Sequence, residues 1–356
     1  MHTVIDNKNY TIVLTTNFSA QLAQFINSNT YSKVVYLFDT NTFRLYGNLP
    51  CFDATQSIVI PSGESYKTIE TCNEVWQQLL HLNADRNTLL VNVGGGMVSD
   101  LGGFVASTYK RGIHFINLPT TLLACVDASI GGKTAVNCGD TKNIIGAFCN
   151  PQHVIIDTVF LNTLPANELL SGFGEILKHG LIANATYFEA CSALNLSENT
   201  INWLPIIETS LRIKQQIVAQ DFDEQNIRKK LNAGHTIGHA LETVLMQSSK
   251  RLTHGEYVAI GLLVESSIAL QQCLISPTDF DIISTAIQRH FKPQKMNPKP
   301  HDWQALNNAL LNDKKNDSAT INASLLTGIG SCAINCAITL TEIEHAISQH
   351  IVVSNA

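Results

Sequence analysis

Short apolar runs alternate with longer amphipathic stretches in the first half of the chain. Five runs rich in apolar and β-branched residues predict strands: Lys33–Phe38, Ser57–Ile60, Thr88–Val93, Phe115–Leu118 and Val154–Ile156. Amphipathic segments between them, such as Tyr66–Leu82, predict helices. Continuously apolar strands that alternate with helices are typical of a parallel sheet that is covered on both faces. The first half is therefore predicted to be an α/β domain.

The pattern changes near Thr163, and the second half is predicted to be helical. Helical periodicity extends over six segments: Ala166–Asn184, Trp203–Gln220, Arg228–Gln247, Gly255–Gln271, Pro277–Gln288 and Thr341–Ile351. The run Thr320–Leu325 is an exception with a strand-like pattern. Leu164 and Pro165, followed by Glu168, predict a helix entry. We therefore expect a domain boundary here, with domains at residues 1–162 and 163–356.

Composition narrows the class of protein. Of 356 residues, 45% are apolar and 15% charged, and the net charge of −6 comes without a basic stripe, which argues against nucleic-acid binding. No apolar run approaches the roughly 18–20 residues of a membrane helix, and the start of the chain lacks the regions of a signal peptide. Nine scattered cysteines without a CxxC pair favour reduced thiols. We expect a cytoplasmic protein.

Three consecutive glycines follow the predicted strand Thr88–Val93 and precede an amphipathic segment that contains Asp100. A strand, glycines and a helix in this order place a phosphate at the helix N-terminus. The GxGxxG fingerprint is imperfect, because Ser99 occupies the position of its third glycine. A phosphate-binding loop and a tight structural turn both fit the triplet, and we favour the phosphate-binding loop.

A second glycine-rich loop carries Lys133 in the segment GGKT. The P-loop of nucleoside triphosphatases requires GxxxxGK[ST], and Asp127 stands where its first glycine belongs, so we reject that class. A lysine in such a loop can bind a phosphate or a carboxylate. A surface lysine in a turn is the alternative.

Histidine spacing in the second half predicts a metal site. NAGHTIGH places His235 and His239 four residues apart on one helical face, which is the spacing of zinc ligands. His254 stands at the start of the next predicted helix, and Glu175 lies in an apolar helix with Lys178 three residues later. Glu175 with two histidines makes a three-ligand set that leaves a position for a substrate oxygen. Histidines with a structural hydrogen bond are the alternative.

Further polar residues of the second half suit an anionic substrate. Each of these residues alone would be interpreted as a solvated polar side chain: Lys214, Arg228, Asn232 and the run Asp313–Lys315. Together with Lys133, Lys142 and Asn143 they would neutralise a substrate that carries both a phosphate and a carboxylate, and arginine is the better carboxylate clamp.

The motifs around these residues resemble the 3-dehydroquinate synthase family of the shikimate pathway, over essentially the whole chain. The matching segments are GGGMVSDLGGFVASTYKRG, LPTTLLACVDASIGGKTAVN, KNIIGAF, GFGEILKHG, LNAGHTIGHALE, HGEYVAIG and NDKKN. The resemblance implies an α/β N-terminal Rossmann-like nucleotide-binding domain plus an all-α C-terminal metal-binding domain. It also implies a homodimer, with NAD and one divalent metal ion, Zn or Co, as cofactors.

By motif, the resemblance implies roles for individual residues. The metal ligands would be Glu175, His235 and His254, whereas His239 would face the substrate. The NAD-binding residues would be Asp39, Asn41, Glu64, Lys67, Gly95, Gly96, Asp100, Thr120, Thr121, Asp127, Lys142 and Thr163. The catalytic and substrate-binding residues would be Asp127, Lys133, Asn143, Lys178, Lys214, Arg228, Asn232, His239 and one of Lys314 or Lys315. Arg111 would reach the active site of the partner subunit.

One segment departs from the family pattern. After DKK the family often has a glycine, and this chain has residues 316–319, NDSA, instead.

The implied reaction converts 3-deoxy-D-arabino-heptulosonate 7-phosphate into 3-dehydroquinate and phosphate. It comprises metal-assisted oxidation by NAD, β-elimination of phosphate, re-reduction, ring opening and an intramolecular aldol closure. Three alternatives remain open: a related cyclase that makes an inosose or a valiolone, a polyol dehydrogenase of the glycerol dehydrogenase group, and a metal- or nucleotide-binding module without turnover.

Overall fold

A sheet of seven strands organises the first unit of the chain, Met1–Pro165. The computed structural model describes residues 2–6, 9–139, 141–198, 200–245, 252–291, 300–311 and 321–350. In the described part of this unit the strands are β1 (His2–Asp6), β2 (Thr11–Thr15), β3 (Lys33–Asp39), β4 (Ser57–Ile60), β5 (Thr88–Gly94), β6 (His114–Pro119), β7 (Lys133–Cys138), β8 (Thr141–Phe148) and β9 (His153–Asp157). The sheet order is β1-β2-β9-β6-β5-β3-β4, and every pairing except β1 with β2 is parallel.

The parallel core of this sheet confirms the five predicted strands. Every residue of β5 is buried, as expected for a strand that lies between two layers of helices. Strands β1, β2, β7 and β8 were not predicted from the sequence. The last two form a separate antiparallel hairpin, and β8 is largely exposed, so it lacks the apolar signature of a core strand.

Four helices flank the sheet within the described residues of the first unit: α1 (Phe18–Asn27), α2 (Thr40–Tyr46), α3 (Ile69–His81) and α4 (Gly96–Thr108). The predicted helix Tyr66–Leu82 begins later than expected. Thr68 caps it, because its side chain accepts a hydrogen bond from the Thr71 N–H. Two separate apolar clusters contain residues from alternate positions of β3 and β5, which shows that both faces of the sheet are covered.

The second unit, Ala166–Ala356, is mainly helical. Its described helices are α5 (Ala166–Ala183), α6 (Ala185–Ser192), α7 (Trp203–Gln220), α8 (His235–Leu245), α9 (His254–Gln271), α10 (Pro277–Phe291), α11 (Pro300–Leu311) and α12 (Leu340–His350). An antiparallel hairpin of β10 (Ile321–Gly328) and β11 (Ser331–Ile338) accompanies them. The predicted fold class is confirmed, with this hairpin as an addition to the helices. None of the helices in the described residues is long and apolar enough to span a membrane.

The single helix predicted over Arg228–Gln247 is wrong. A 3₁₀ helix covers Ile227–Asn232, and α8 begins at His235. Gly234 separates them with φ +78°, a left-handed conformation that glycine adopts without steric cost. The end of the predicted helix lies outside the described residues.

Glycines bring the main chains of α5, α8 and α9 into direct contact. A Cβ atom added to Gly255 would lie 1.8 Å from the Ser171 carbonyl oxygen, and one added to Gly261 would lie 1.9 Å from the Gly234 carbonyl oxygen. A Cβ on Gly174 would lie 2.4 Å from the Gly255 oxygen. No side chain fits at these positions, so the spacing of the three helices is set by their backbones.

Candidate active-site residues

The glycine triplet lies where β5 ends and α4 begins. Gly94 closes the strand and Gly95 precedes the helix without a capping side chain, so the first amides of α4 receive no acceptor from that position. A Cβ on Gly95 would lie 2.9 Å from Thr121 Cγ2, and one on Gly96 would lie 3.1 Å from Ala128 Cβ. Bare backbone at an uncapped helix N-terminus is the arrangement that binds a phosphate group.

Asp39 lies at the same edge of the sheet as this loop. Strands β3 and β5 pair in parallel with Phe38 opposite Val93, so Asp39 follows level with Gly94. One Asp39 oxygen, Oδ1, accepts hydrogen bonds of 2.8 Å from the N–H groups of Asn41 and Thr42 and so caps α2. An acidic residue at the end of a neighbouring strand is the usual partner of a nucleotide ribose. Here it precedes the glycines in sequence, whereas in the GxGxxG fingerprint the acidic residue follows them by about 20 positions.

Lys67 joins residues predicted to bind NAD to one predicted to bind substrate. Its side chain is buried, and Nζ lies 2.5 Å from Asp100 Oδ2 and 2.6 Å from Asn143 Oδ1. Glu64 Oε1 is 3.9 Å from the same nitrogen. The fold thus brings three other predicted residues, Glu64, Asp100 and Asn143, around the Lys67 ammonium group.

Three further predicted NAD residues lie after β6 and one near the end of the unit. The Thr120 N–H donates to the Gly94 carbonyl at 3.0 Å, which fixes the segment after β6 against the glycine loop. Thr121 Oγ1 accepts from the Ala124 N–H, and Asp127 lies in the turn of π-helix that follows. Thr163 Oγ1 contacts the Tyr46 hydroxyl.

The β7–β8 hairpin carries two of the three predicted lysines of the first unit, Lys133 and Lys142. Gly131 and Gly132 both have positive φ, and Lys133 then opens β7 as an exposed strand residue rather than as part of a turn. Lys142 is half-buried in β8.

Arg111 lies in a strained turn after α4. Lys110 and Arg111 have φ of +50° and +68°, and Gly112 follows with +116°. Left-handed conformations in two successive non-glycine residues cost about 1–3 kcal/mol each, and such strain clusters at functional sites. The Arg111 side chain is exposed.

Glu175, His235 and His254 converge in the second unit. Glu175 is completely buried in α5, and its Oε1 lies 3.4 Å from His235 Nε2 and 3.5 Å from His254 Nε2. Lys178 Nζ contacts the other oxygen, Oε2. The predicted start of α9 at the HGE segment is correct: Thr253 and Glu256 form a capping box that begins the helix at His254.

Burial and neighbouring charges together determine the protonation of Glu175, His235 and His254. Burial opposes ionisation of Glu175, but Lys178, His235 and His254 outweigh it and hold the pKa of the carboxyl well below its usual range. Burial, and then the charge of Lys178, hold the pKa of His235 well below its usual range, so its imidazole is neutral. Burial would also lower the pKa of His254, but interactions with Glu175 and Glu242 raise it to about 9.

The cluster fits a divalent metal ion. Neither Glu175 oxygen accepts a hydrogen bond of good geometry from the described residues, although buried carboxylates normally do. Three ligand atoms that surround one zinc ion at about 2.1 Å lie roughly 3.4 Å apart, close to the two measured separations. His239 is also near, because one nitrogen from each of His235, His239 and His254 lies within 4.8 Å of the others. The buried carboxylate favours Glu175 as the third ligand, because it supplies the negative charge that a cation requires.

Three predicted cations in the described part of this unit are buried, as solvated charges would not be. Lys178, Lys214 and Arg228 expose 1%, 6% and 1% of their surface. Arg228 Nη1 donates to the Phe222 carbonyl at 2.5 Å, and Asn232 Nδ2 donates to Glu224 Oε1 at 3.0 Å. Lys314 and Lys315 lie outside the described residues.

Sequence reasoning missed two residues that support the site. Glu265 is buried in α9, and its carboxylate accepts from the N–H groups of Gly234 at 2.5 Å and Ile237 at 3.2 Å, which fixes the start of α8. Asn137 of β7 bonds to both Glu64 and Asn143. An acidic residue inside the apolar run of α9 was a signal for Glu265, whereas the role of Asn137 depends on tertiary contacts.

Comparisons with known proteins match both units. The family model described as 3-dehydroquinate synthase N-terminal covers residues 57–171, and that described as 3-dehydroquinate synthase C-terminal covers residues 172–316. A curated 3-dehydroquinate synthase of Parabacteroides distasonis is 36% identical over 337 residues, 93% of this chain and 95% of the relative. That of Thermoanaerobacter pseudethanolicus is 40% identical over 320 residues, 85% of this chain and 86% of the relative.

Solved structures share the fold. A crystal structure of 2-deoxy-scyllo-inosose synthase complexed with carbaglucose-6-phosphate, NAD+ and Co2+ has a TM-score of 0.84 at 23% identity, and the match covers 99% of this chain and 100% of that one. The 2-epi-5-epi-valiolone synthase of Streptomyces hygroscopicus subsp. jinggangensis with NAD+ and Zn2+ bound has a TM-score of 0.81 at 25% identity, with 98% of each chain covered. A probable glycerol dehydrogenase from Sinorhizobium meliloti is more distant, with a TM-score of 0.64 at 16% identity over 94% of each chain.

Proposed function

The chain belongs to the 3-dehydroquinate synthase family, and from this premise we propose that it converts 3-deoxy-D-arabino-heptulosonate 7-phosphate into 3-dehydroquinate and phosphate. It would act as a carbon–oxygen lyase on a phosphate ester. The observation that carries the proposal is the cluster of buried Glu175 and His235 with half-buried His254, in a chain whose first unit presents an uncapped glycine loop. A metal and a dinucleotide are the two cofactors that this chemistry requires.

NAD would be held by the residues around the glycine loop and a Zn or Co ion by Glu175, His235 and His254. When bound, NAD accepts and returns a hydride at C5 of the substrate, and the ion lowers the pKa of the substrate hydroxyl and orients it. The site residues themselves bind and orient the substrate, and they move protons.

The substrate carries an anion at each end, and the cations of the chain suit both. Arg228, with its planar fork, would bind the carboxylate, whereas Lys133 and Asn143 would bind the phosphate end. Lys178 and Lys214 would orient hydroxyl groups. Burial strengthens the contacts of Arg228, Lys178 and Lys214, because charge interactions gain strength away from water.

His239 is our candidate for proton transfer near C5. Its ring centroid lies 5.0 Å from that of His235 and 5.7 Å from that of His254, so it adjoins the ligand cluster. With a ketone at C5, the neighbouring C–H is acidic, its proton is removed and phosphate leaves by β-elimination. The phosphate group can itself accept that proton. After C5 is reduced again, the ring opens and an intramolecular aldol addition forms the carbocycle.

The direct test is phosphate release by the purified protein with NAD and a divalent metal. We expect release from the heptulosonate and not from glucose 6-phosphate or sedoheptulose 7-phosphate, which lack the carboxylate. A preference for either of these sugars would indicate an inosose or valiolone cyclase. Accumulation of NADH with a simple polyol would indicate a dehydrogenase, because the proposed reaction restores NAD in each turnover.

Replacing Arg228 by lysine tests the carboxylate clamp. The variant keeps the charge but loses the two-pronged geometry, so we expect KM for the heptulosonate to rise about 10- to 100-fold while NAD affinity is unchanged. Steady-state kinetics and NADH fluorescence measure the two effects. The control is Arg212→Lys on α7, an exposed arginine paired with Glu208, which should change neither. An unchanged KM in Arg228→Lys would contradict the assignment.

We further propose a homodimer in which Arg111 serves the partner subunit's site. Arg111→Ala and His239→Ala should each be inactive alone. After mixing and subunit exchange, half of the dimers are mixed and each contains one complete site, so activity should recover to roughly a quarter of wild type. Sedimentation checks the dimer. Recovery would not occur if Arg111 served its own subunit.

A further inference from the structure

The β7–β8 hairpin has an irregularity at Asn137. The ladder pairs Val136 with Ile145 and Cys138 with Thr141, so Asn137 alone stands opposite residues 142–144. Asn143 in the middle of this bulge has φ +52°. Bulges occur beside active sites, where they redirect side chains. This one contains Lys142 and Asn143, the two residues of β8 assigned above to nucleotide and substrate.

The side-chain amide of Asn137 bonds to the bulge on one side and, on the other, to the segment of the chain assigned to NAD binding. Its Oδ1 accepts from the Asn143 N–H at 2.9 Å. Its Nδ2 donates to Glu64 Oε1 at 3.0 Å and to the Glu64 carbonyl at 3.3 Å. Its main-chain N–H donates to the Lys67 carbonyl at 2.7 Å. One residue therefore bonds to both segments through its side chain and main chain.

Lys67 completes the connection. Its Nζ lies 2.6 Å from Asn143 Oδ1, and the same nitrogen contacts Asp100. Asn143 is thus fixed twice, at its main-chain N–H by Asn137 and at its side-chain oxygen by Lys67. Its strained left-handed backbone persists because both groups hold it.

We propose that Asn137 is a positioning residue through which nucleotide binding at Glu64 and Lys67 orders Asn143 for the substrate. This inference rests on the proposed function for the roles of Glu64, Lys67 and Asn143. The contacts run from the 3₁₀ turn Glu64–Tyr66 through one amide to the bulge, so ordering the turn orders the bulge. Nucleotide and substrate binding are then coupled, and NAD raises the affinity for substrate by about fivefold or more.

Hydrogen exchange of the full-length protein, with and without saturating NAD, tests the proposal. In the wild type, NAD should protect amides of the hairpin, residues 133–148, and of the glycine loop, residues 94–101. In Asn137→Ala the glycine loop should still be protected, whereas the hairpin should not. The ratio of heptulosonate affinities with and without NAD should fall toward one.

Two variants separate coupling from general stability. Asn137→Asp keeps the acceptor for Asn143 but loses the donor and places a second carboxylate beside Glu64, so it should also lose hairpin protection. Asn87→Ala is the matched control, because it also removes a hydrogen bond from an asparagine side chain to a main-chain carbonyl, that of Thr30. It should leave the protection of both the hairpin and the glycine loop by NAD unchanged. If NAD protected the hairpin in Asn137→Ala as strongly as in the wild type, this inference would be overturned, but the proposed function would not. Failure of the wild type to bind NAD would overturn the proposed function and this inference with it.

Discussion

Replacing Glu175 by alanine is expected to abolish tight metal binding and to slow phosphate release by roughly 10³-fold, equivalent to about 4 kcal/mol of transition-state stabilisation. The carboxylate is the one anionic member of the three proposed ligands, and without it a dication would be held by neutral imidazoles beside the Lys178 ammonium. Calorimetry with Zn2+ and Co2+ on EDTA-treated protein measures the first effect, and phosphate release at saturating metal measures the second.

The same substitution should destabilise the metal-free protein. It leaves Lys178 buried without its counter-charge, which costs about 3–5 kcal/mol in denaturant unfolding. The control is the double variant Glu175→Gln with Lys178→Met, which replaces the pair by neutral groups of similar volume. This variant should recover most of the stability without recovering the metal. Wild-type metal affinity in Glu175→Ala would show that other residues, His239 among them, form the site.

Replacing Gly261 by alanine should be among the most destabilising single-methyl changes in the second unit. Alanine is intrinsically better than glycine in a helix by about 1 kcal/mol. That gain is lost here, because the added Cβ would lie 1.9 Å from the Gly234 carbonyl oxygen, a main-chain atom that no rotamer change can move away. We expect a net loss on the order of 3 kcal/mol and, because α8 must shift, a metal affinity reduced at least about tenfold.

Urea unfolding of the metal-free protein and metal titration measure these effects. The matched control is Gln271→Ala, at the exposed end of the same helix, for which stability should change by no more than about 0.5 kcal/mol. An unfolding midpoint in Gly261→Ala equal to that of the control would refute the close contact between α8 and α9.

The elements that carry a strong periodic signal were predictable from the sequence. Trp203–Gln220 was predicted at the bounds observed, and the core strands were found because both of their faces are apolar. The hairpin β7–β8 was not, because most residues of β8 are exposed and the strand has no buried face. The helix predicted over Arg228–Gln247 failed at Gly234, where one left-handed glycine outweighs continuous helical periodicity on both sides.

The candidate site, like the fold, was predictable from the sequence only in part. Residue types and spacing singled out Glu175, His235, His239 and His254, and the fold brings them together. Spacing did not distinguish His239 from a ligand. The three histidine rings lie so close together that only the negative charge of Glu175 favours Glu175, His235 and His254 over three histidines as the ligands. The supporting contacts of Asn137 and Glu265 join segments far apart in sequence, so no local pattern contains them.

The backbone contacts between α5, α8 and α9 have a consequence for protein engineering. Each proposed ligand is carried by a different one of these helices, and no side chain separates them at the contact points. A designer who wants a different metal preference therefore cannot widen or narrow the coordination sphere by resizing residues between the helices. Only the donor atoms themselves are adjustable, so a library for altered metal use belongs at the ligand positions and not in the surrounding core.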